Sequence, residues 1–223
     1  MCGRYFWTDD AEDAFEEDFP ELAGEAYELR AGDYTPGMRA LAVIGKGSAA
    51  NESRDGLRES AGHGIQAAQS GGKPADAGLG AELLQWGFPG FDKGKLLINA
   101  RAESVKDRPT FADSYAARRC VLPAAGFYEW DKKKEKVIFT VPENRILYLA
   151  GIYRPYGEEK RFVVLTREAN ASMAPVHDRM PLILSREEVR PWVNGGNEAD
   201  DILAKVLPKL RAERPYEQMT FEW

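Results

Sequence analysis

From residue 83 onward the chain is a succession of short runs, LLQW, KLLIN, CVLPAAGFYEW, KVIFTV, ILYLAGIY and RFVVLT, parted by polar or Gly/Pro turns. β-Branched and aromatic residues in runs of this length suit a pleated, half-buried surface. RALAVI, residues 39–44, reads as a further strand. Helical patterns are few. Thr8 precedes DDAEDAFEEDF as an N-cap with acids in the first turn, placing Ala11, Ala14 and Phe15 on one side before Pro20 ends the helix. TFADSYAARR, REEVRPWV and EADDILAKVL are the other helical stretches, and Ser185 with Glu188 forms a capping box ahead of the second of them. These patterns predict an α+β fold: a mostly antiparallel, barrel-like sheet with peripheral helices.

Residues 45–81 break the pattern. The stretch is rich in Gly, Ala and Ser and nearly free of large aliphatic and aromatic residues. Such a segment buries too little apolar surface to offset its ordering entropy, so it reads as a flexible insertion inside a single domain spanning residues 2–223. His63 lies within it.

The formal net charge of −6 argues against a protein that coats nucleic acid through bulk electrostatics, yet leaves room for a local basic cleft. No apolar run reaches the roughly 18–20 residues of a membrane span. The opening MCGRYFWTDD lacks the basic and apolar regions of a signal peptide, so a cytoplasmic protein is expected. Two cysteines, Cys2 and Cys120, and two histidines, His63 and His177, would all have to converge to bind zinc, and none has a close ligand partner in sequence. No metal or cofactor is expected. Cys120, inside an apolar run, reads as an inert buried thiol.

Four places carry candidate chemistry. Initiator methionine is generally removed before a small second residue, which would leave Cys2 with a free amine and a thiol on adjacent carbons. Such a pair condenses with an aldehyde, the amine forming an imine and the thiol closing a five-membered thiazolidine. The alternative is a cysteine that merely stands second. In LINARAE, the two-residue period of a strand sets Asn99, Arg101 and Glu103 on one face. Arginine there suits phosphate oxygens, or else forms a structural Arg–Glu pair. In GFYEW, alternation turns Glu129 away from Tyr128 and Trp130, and so inward, where burial tunes a carboxyl for proton transfer; a salt bridge to an arginine is the competing reading. In APVHDRMP, a proline on each side stiffens the segment holding His177, an acid/base candidate or a loop histidine bonded to the backbone. The Lys132–Lys134 run reads as a solvated hairpin tip.

Together, MCGRY, WGFPG, INARAES, RRCVLPAAGFYEW and PVHDRMPLIL resemble the successive signatures of the SRAP family (SOS-response-associated peptidase, the abasic-site-shielding proteins), from residue 2 to about 193 apart from the insertion. The resemblance implies that Cys2 is the nucleophile linking to the ring-opened sugar of an abasic site. It implies that Asn99 holds the cysteine and the opened sugar, that Glu129 is the acid of the catalytic centre, and that His177 is the acid/base residue acting on the sugar oxygen. Arg4 and Arg101 match phosphate-contacting arginines, while Trp86, Phe88 and Pro89 fall in a segment that lines the DNA surface and stacks against bases. The chain departs from the family at Gly32-Asp33-Tyr34-Thr35-Pro36, where many members carry an NVAP-type loop; Asp33 stands near the Asn position. The implied partner is single-stranded DNA containing abasic sites, bound by a monomer that is nucleoid-associated while on DNA. The implied activity is covalent crosslinking with reversal and weak lyase activity. A thiol peptidase or N-terminal-nucleophile hydrolase using Cys2 and His177 is the alternative, and a non-catalytic single-strand binder is the third reading.

Overall fold

The computed structural model describes residues 2–24, 30–46, 78–92 and 94–215. In chain order the elements are β1 (Tyr5–Trp7), α1 (Asp9–Asp18), β2 (Gly32–Tyr34), β3 (Arg39–Gly45), β4 (Leu79–Trp86), β5 (Phe88–Pro89), β6 (Leu96–Leu97) and β7 (Asn99–Arg101). A 3-10 turn (Ala102–Ser104) leads to α2 (Pro109–Ala117), β8 (Arg119–Ala124), β9 (Gly126–Trp130), β10 (Lys136–Thr140), β11 (Leu147–Tyr156) and β12 (Glu159–Glu168). The chain continues through β13 (Arg179–Pro181), β14 (Ile183–Leu184), α3 (Arg186–Asn194), α4 (Glu198–Ala204) and β15 (Arg211–Glu213).

Five strands close on themselves. β3 pairs with β4 and with β8, β8 with β11, β11 with β12, and β12 returns to β4. Only the last of these pairings is parallel. A closed ring leaves its strands with no free edge and with one face toward an enclosed interior. Every residue of β8 is buried, because helices cover its outer face while the barrel interior covers the other. The barrel-like α+β architecture anticipated from the β-rich runs is therefore present.

A second sheet, in the order β15-β10-β9-β1-β2, stands beside the barrel. The run CVLPAAGFYEW joins the two, since it divides at Ala125 into β8 of the barrel and β9 of the second sheet. KLLIN likewise divides, at Ile98, into β6 and β7. The helices follow their caps. Thr8 accepts from the Ala11 N–H at 3.2 Å, and α1 buries Ala11, Ala14 and Phe15. At α3 the Glu188 carboxylate accepts from the Ser185 N–H at 2.7 Å. The expected insertion is narrower at its described ends, because Gly45 belongs to β3 and pairs with Leu79 at the start of β4. Its residues 47–77, His63 included, lie outside the described residues.

Candidate active site

β1 and β9 bring the start of the chain to Glu129. Tyr5 pairs with Phe127, and the Tyr128 N–H donates to the Arg4 carbonyl at 2.9 Å, so the residues before Tyr5 run alongside the end of β9. Strand alternation then separates the side chains. Glu129 is 5 % exposed, whereas Trp130 is 39 % exposed on the other face, where the Arg4 guanidinium lies 5.5 Å from its ring. The inward direction expected of Glu129 is what the strand adopts.

Cys2 is fully buried. Burial first, and the nearby Glu129 charge second, push its thiol up to about 12, while a backbone hydrogen bond from Arg4 acts in the opposite direction. The thiol is therefore protonated at neutral pH in the chain that carries Met1. Asn99 reaches the same residue from the barrel side, its Nδ2 donating to the Cys2 carbonyl at 3.0 Å. Its Oδ1 is buried with no hydrogen-bond partner among the described residues.

Asn99 is placed by β7, whose partner is β12 in parallel register, Asn99 opposite Val164. Trp86 braces the preceding residue. Its indole Nε1 donates to the Ile98 carbonyl at 3.0 Å, and its ring stacks on Phe162 at 5.8 Å. Gly87, at φ +110, turns the chain directly after it, and a Cβ there would come within 3.0 Å of the Leu96 side chain. Trp86 and Phe88 are wholly buried, Phe88 among Phe111 and Tyr156, so neither offers a face to a base. This corrects the base-stacking role expected of both: the indole nitrogen requires an acceptor, and it finds one inside the fold. In this segment Pro89 is exposed, and the exposed aromatic is Phe91 at 93 %.

His177 enters from the segment before β13. The Arg179 N–H donates to its Nδ1 at 2.9 Å, which leaves the proton of the neutral ring on Nε2. Asp178 Oδ1 also lies 2.9 Å from Nδ1 and becomes an ion-pair partner only when the ring is protonated. The Arg179 guanidinium grips both oxygens of Glu103 at 2.8 Å and also donates to the Thr166 carbonyl. That grip holds the Glu103 carboxyl down at about 2. Glu103 thus sits on the 3-10 turn, not on the strand face of Asn99 and Arg101, and pairs with Arg179, not Arg101. The clamp ties the His177 segment to the end of the strand that begins at Asn99.

Arg101 is exposed, and among the described residues no ion pair or hydrogen bond holds its guanidinium. Arg4 is half-exposed and already faces a carboxylate, Asp33, at 3.5 Å. Asp33 also accepts from the Tyr128 hydroxyl at 2.9 Å, so the departure noted at Asp33 has a local role in holding Arg4 and Tyr128. Trp130 was not singled out from the sequence. The alternation that sent Glu129 inward already carried the signal, since it sends Trp130 outward. Cys120 is buried, with its thiol pushed up by that burial. Among the described residues no group of three or more His, Cys, Asp or Glu is arranged to hold a metal ion.

A model of the family described as SOS response associated peptidase (SRAP) matches residues 1–221. Among individual proteins, the abasic site processing protein YoaM of Bacillus subtilis is 32 % identical over 56 % of this chain and 61 % of its own length. YedK of Escherichia coli, also named an abasic site processing protein, is 30 % identical over 58 % of this chain and 63 % of its own length. The matches to these relatives thus span less than two thirds of each. A solved phage-related protein from Bordetella bronchiseptica shares the fold at a TM-score of 0.65 and 22 % identity, covering 96 % of this chain and 93 % of that one. A second Bordetella bronchiseptica structure gives a TM-score of 0.66 at 22 % identity, over 96 % of this chain and 99 % of the other.

Proposed function

The chain belongs to the SOS response associated peptidase (SRAP) family, and on that premise we propose that it processes abasic sites in single-stranded DNA by bonding covalently to them through Cys2. The observation that carries the reading is the meeting of three groups: Cys2, the Asn99 carboxamide on its carbonyl, and the Glu129 carboxyl whose charge acts on its thiol. The names of the matched relatives support the substrate.

The chemistry starts once Met1 is removed and the Cys2 nitrogen is an amine. An abasic sugar is a cyclic hemiacetal; opening it moves a proton from the C1′ hydroxyl to the ring oxygen. Glu129 takes the first proton, the Nε2–H of His177 supplies the second, and the proton held by Glu129 returns to His177 through solvent, so that both groups end as they began. The amine adds to the C1′ aldehyde and water leaves, giving an imine. The thiol then adds across the C=N bond, sulfur to carbon and hydrogen to nitrogen. The net product is a thiazolidine and one water. Asn99 fixes the residue that makes both bonds, and its free Oδ1 accepts a hydrogen bond from a hydroxyl of the opened sugar. Reversal retraces these steps, and β-elimination from the imine gives weak lyase activity. Arg101 and Arg4 hold flanking phosphates, and Pro89 borders the strand.

The thiol environment bears on the peptidase alternative. A cysteine peptidase needs a thiolate, which a neighbouring imidazolium or helix N-terminus stabilises. In the chain that still carries Met1, burial and a carboxylate oppose it. An amine-first reaction has no such requirement, because the thiol is called on only after the imine exists.

The test uses the full chain, confirmed by intact mass to lack Met1, and a single-stranded oligonucleotide with one abasic site. A denaturation-resistant adduct is expected, and Cys2→Ala abolishes it. A full-strength adduct from Cys2→Ala, or thiol-dependent peptide turnover without any DNA adduct, overturns the proposal.

A further inference from the structure

Trp86 offers no face to a base, yet its ring and its N–H sit where the two halves of the site meet. Four buried rings form a column that crosses from the second sheet into the barrel. At one end Tyr34 stacks on Tyr5 at 5.5 Å, and the two stand directly opposite each other in the β1–β2 pairing. At the other end Trp86 stacks on Phe162 at 5.8 Å, again as direct partners, in the β4–β12 pairing. Tyr5 and Trp86 join these two pairs, with ring centres 5.3 Å apart, so the link between the sheets passes through them.

Each inner ring is tied to one residue of the site. Only Gly3 and Arg4 separate Tyr5 from Cys2, and the Arg4 carbonyl is itself held by the Tyr128 N–H at 2.9 Å. Burial first, then Tyr34 and then Cys2, raise the Tyr5 hydroxyl well above its ordinary range, so at neutral pH Tyr5 supplies a ring and no charge. On the barrel side, Ile98 lies at the break between β6 and β7, and its carbonyl accepts from the Trp86 indole at 3.0 Å and from the Val164 N–H at 3.2 Å. That carbonyl and the Asn99 nitrogen belong to one planar peptide unit, so a bond that fixes the first fixes where Asn99 begins. Asn99 donates back to the Cys2 carbonyl at 3.0 Å. The path from Cys2 through Tyr5, Trp86, Ile98 and Asn99 therefore returns to Cys2 as a closed circuit.

We propose that Tyr5 and Trp86 are positioning residues: their ring contact and the indole bond to Ile98 hold the Asn99 carboxamide and Cys2 in register for the covalent reaction. This rests on the reading of the site given above and deepens it. Neither residue touches the sugar. Their contribution is to rate, since small displacements between reacting groups are costly to a reaction that makes two bonds from one residue.

Trp86→Phe keeps a ring in the column and removes the N–H, while Val164 still satisfies the Ile98 carbonyl. Single-turnover adduct formation at saturating abasic single-stranded DNA should fall by about tenfold. The shape of its pH profile should not change, because no proton donor or acceptor of the reaction is lost. The deciding readout is a double-mutant cycle with Asn99→Ala. Because Trp86 acts through Asn99, Trp86→Phe should slow the Asn99→Ala protein by less than about twofold, whereas a general loosening of the fold would add in full. A wild-type rate from Trp86→Phe, or full additivity, overturns the proposal. If Trp86→Phe does not fold, benzothienylalanine at position 86 carries the same cycle, since it keeps both rings and puts sulfur in place of the N–H. Iodoacetamide labelling of Cys2, read by peptide mass without DNA on protein that retains Met1, follows the same geometry apart from the reaction. Cys2 is fully buried, and Trp86→Phe should speed its labelling severalfold by loosening it. If wild-type protein forms no adduct, the covalent reading fails and labelling decides the column, an unchanged labelling rate overturning it.

Discussion

The Asn99 carboxamide donates to the Cys2 carbonyl at 3.0 Å, joining residues 97 positions apart and the barrel to the second sheet. Asn99→Ala removes this bond and one acceptor from the site. A single such hydrogen bond contributes about 1 kcal/mol, which in a chain of this size lowers Tm by ~2–4 °C. The effect on chemistry should be larger, because small misplacements of reacting atoms cost up to ~100-fold in rate. Single-turnover adduct formation at saturating abasic DNA should fall by at least about tenfold. A melting-temperature loss with no change in rate would reduce Asn99 to a structural tie.

Glu129 should have opposite effects on the thiol and on the adduct. Its charge is the second cause, after burial, that holds the Cys2 thiol at about 12. Glu129→Gln removes that charge while keeping the shape, so the thiol pKa falls, although burial still holds it above an ordinary cysteine. On a form that retains Met1, the rate of iodoacetamide labelling between pH 9 and 11 should rise relative to wild type. On the processed form, adduct formation should slow, because the proposed proton acceptor for ring opening is gone. Labelling no faster than wild type would show that the Glu129 charge does not hold the thiol up.

How much of this site the sequence carried depended on whether the signal was local. The inward turn of Glu129 follows from strand alternation within five residues, and the barrel follows from the apolar runs that became β8, β11 and β12. Trp86 and Phe88 show the other case. An aromatic pair beside Gly87 looks the same in sequence whether its rings face bases or the core. What decides is an acceptor at Ile98 and the rings of Phe162, Phe111 and Tyr156, supplied from elsewhere in the chain. Glu103 illustrates a third kind of limit. The strand period put it with Arg101, but β7 ends at Arg101, and the 3-10 turn hands Glu103 to an arginine 76 positions away.

The Glu103–Arg179 clamp should register in acid. The Glu103 carboxyl is held at about 2, below its ordinary value near 4.5, chiefly by its hydrogen bonds from Arg179. A lowered carboxyl pKa contributes stability that is present above the unfolded value and is lost as pH falls through the folded one. The loss from this group therefore falls between about pH 4.5 and 2. Its side chain is 46 % exposed, so solvent screening limits the contribution to less than about 1 kcal/mol. In urea titrations, Glu103→Gln should be slightly less stable than wild type at pH 7, with the gap closing as pH approaches 2. A gap that stays constant across that window would show that the pair adds nothing to stability.

Arg119 should be the most costly surface-to-core contact to lose. Only 8 % exposed at the start of β8, it donates through Nε to the Trp192 carbonyl at 2.5 Å and through one terminal nitrogen to the Tyr115 carbonyl at 2.7 Å. The other terminal nitrogen donates to Gly195. The guanidinium also lies between two rings, 5.6 Å from the centre of Tyr115 and 5.9 Å from that of Trp192. One side chain thus closes the carbonyl ends of both α2 and α3 against the barrel. Arg119→Met fills similar space but strips the Trp192, Tyr115 and Gly195 carbonyls, and the longer contact at Ala116, of this donor, and should destabilise by about 3–5 kcal/mol. Arg119→Lys should recover less than half of that, since a single ammonium on a flexible stem cannot span three acceptors that a planar fork reaches at once. The measurement is the urea midpoint at constant slope. If Lys restores the wild-type midpoint, the charge alone matters and the fork geometry does not.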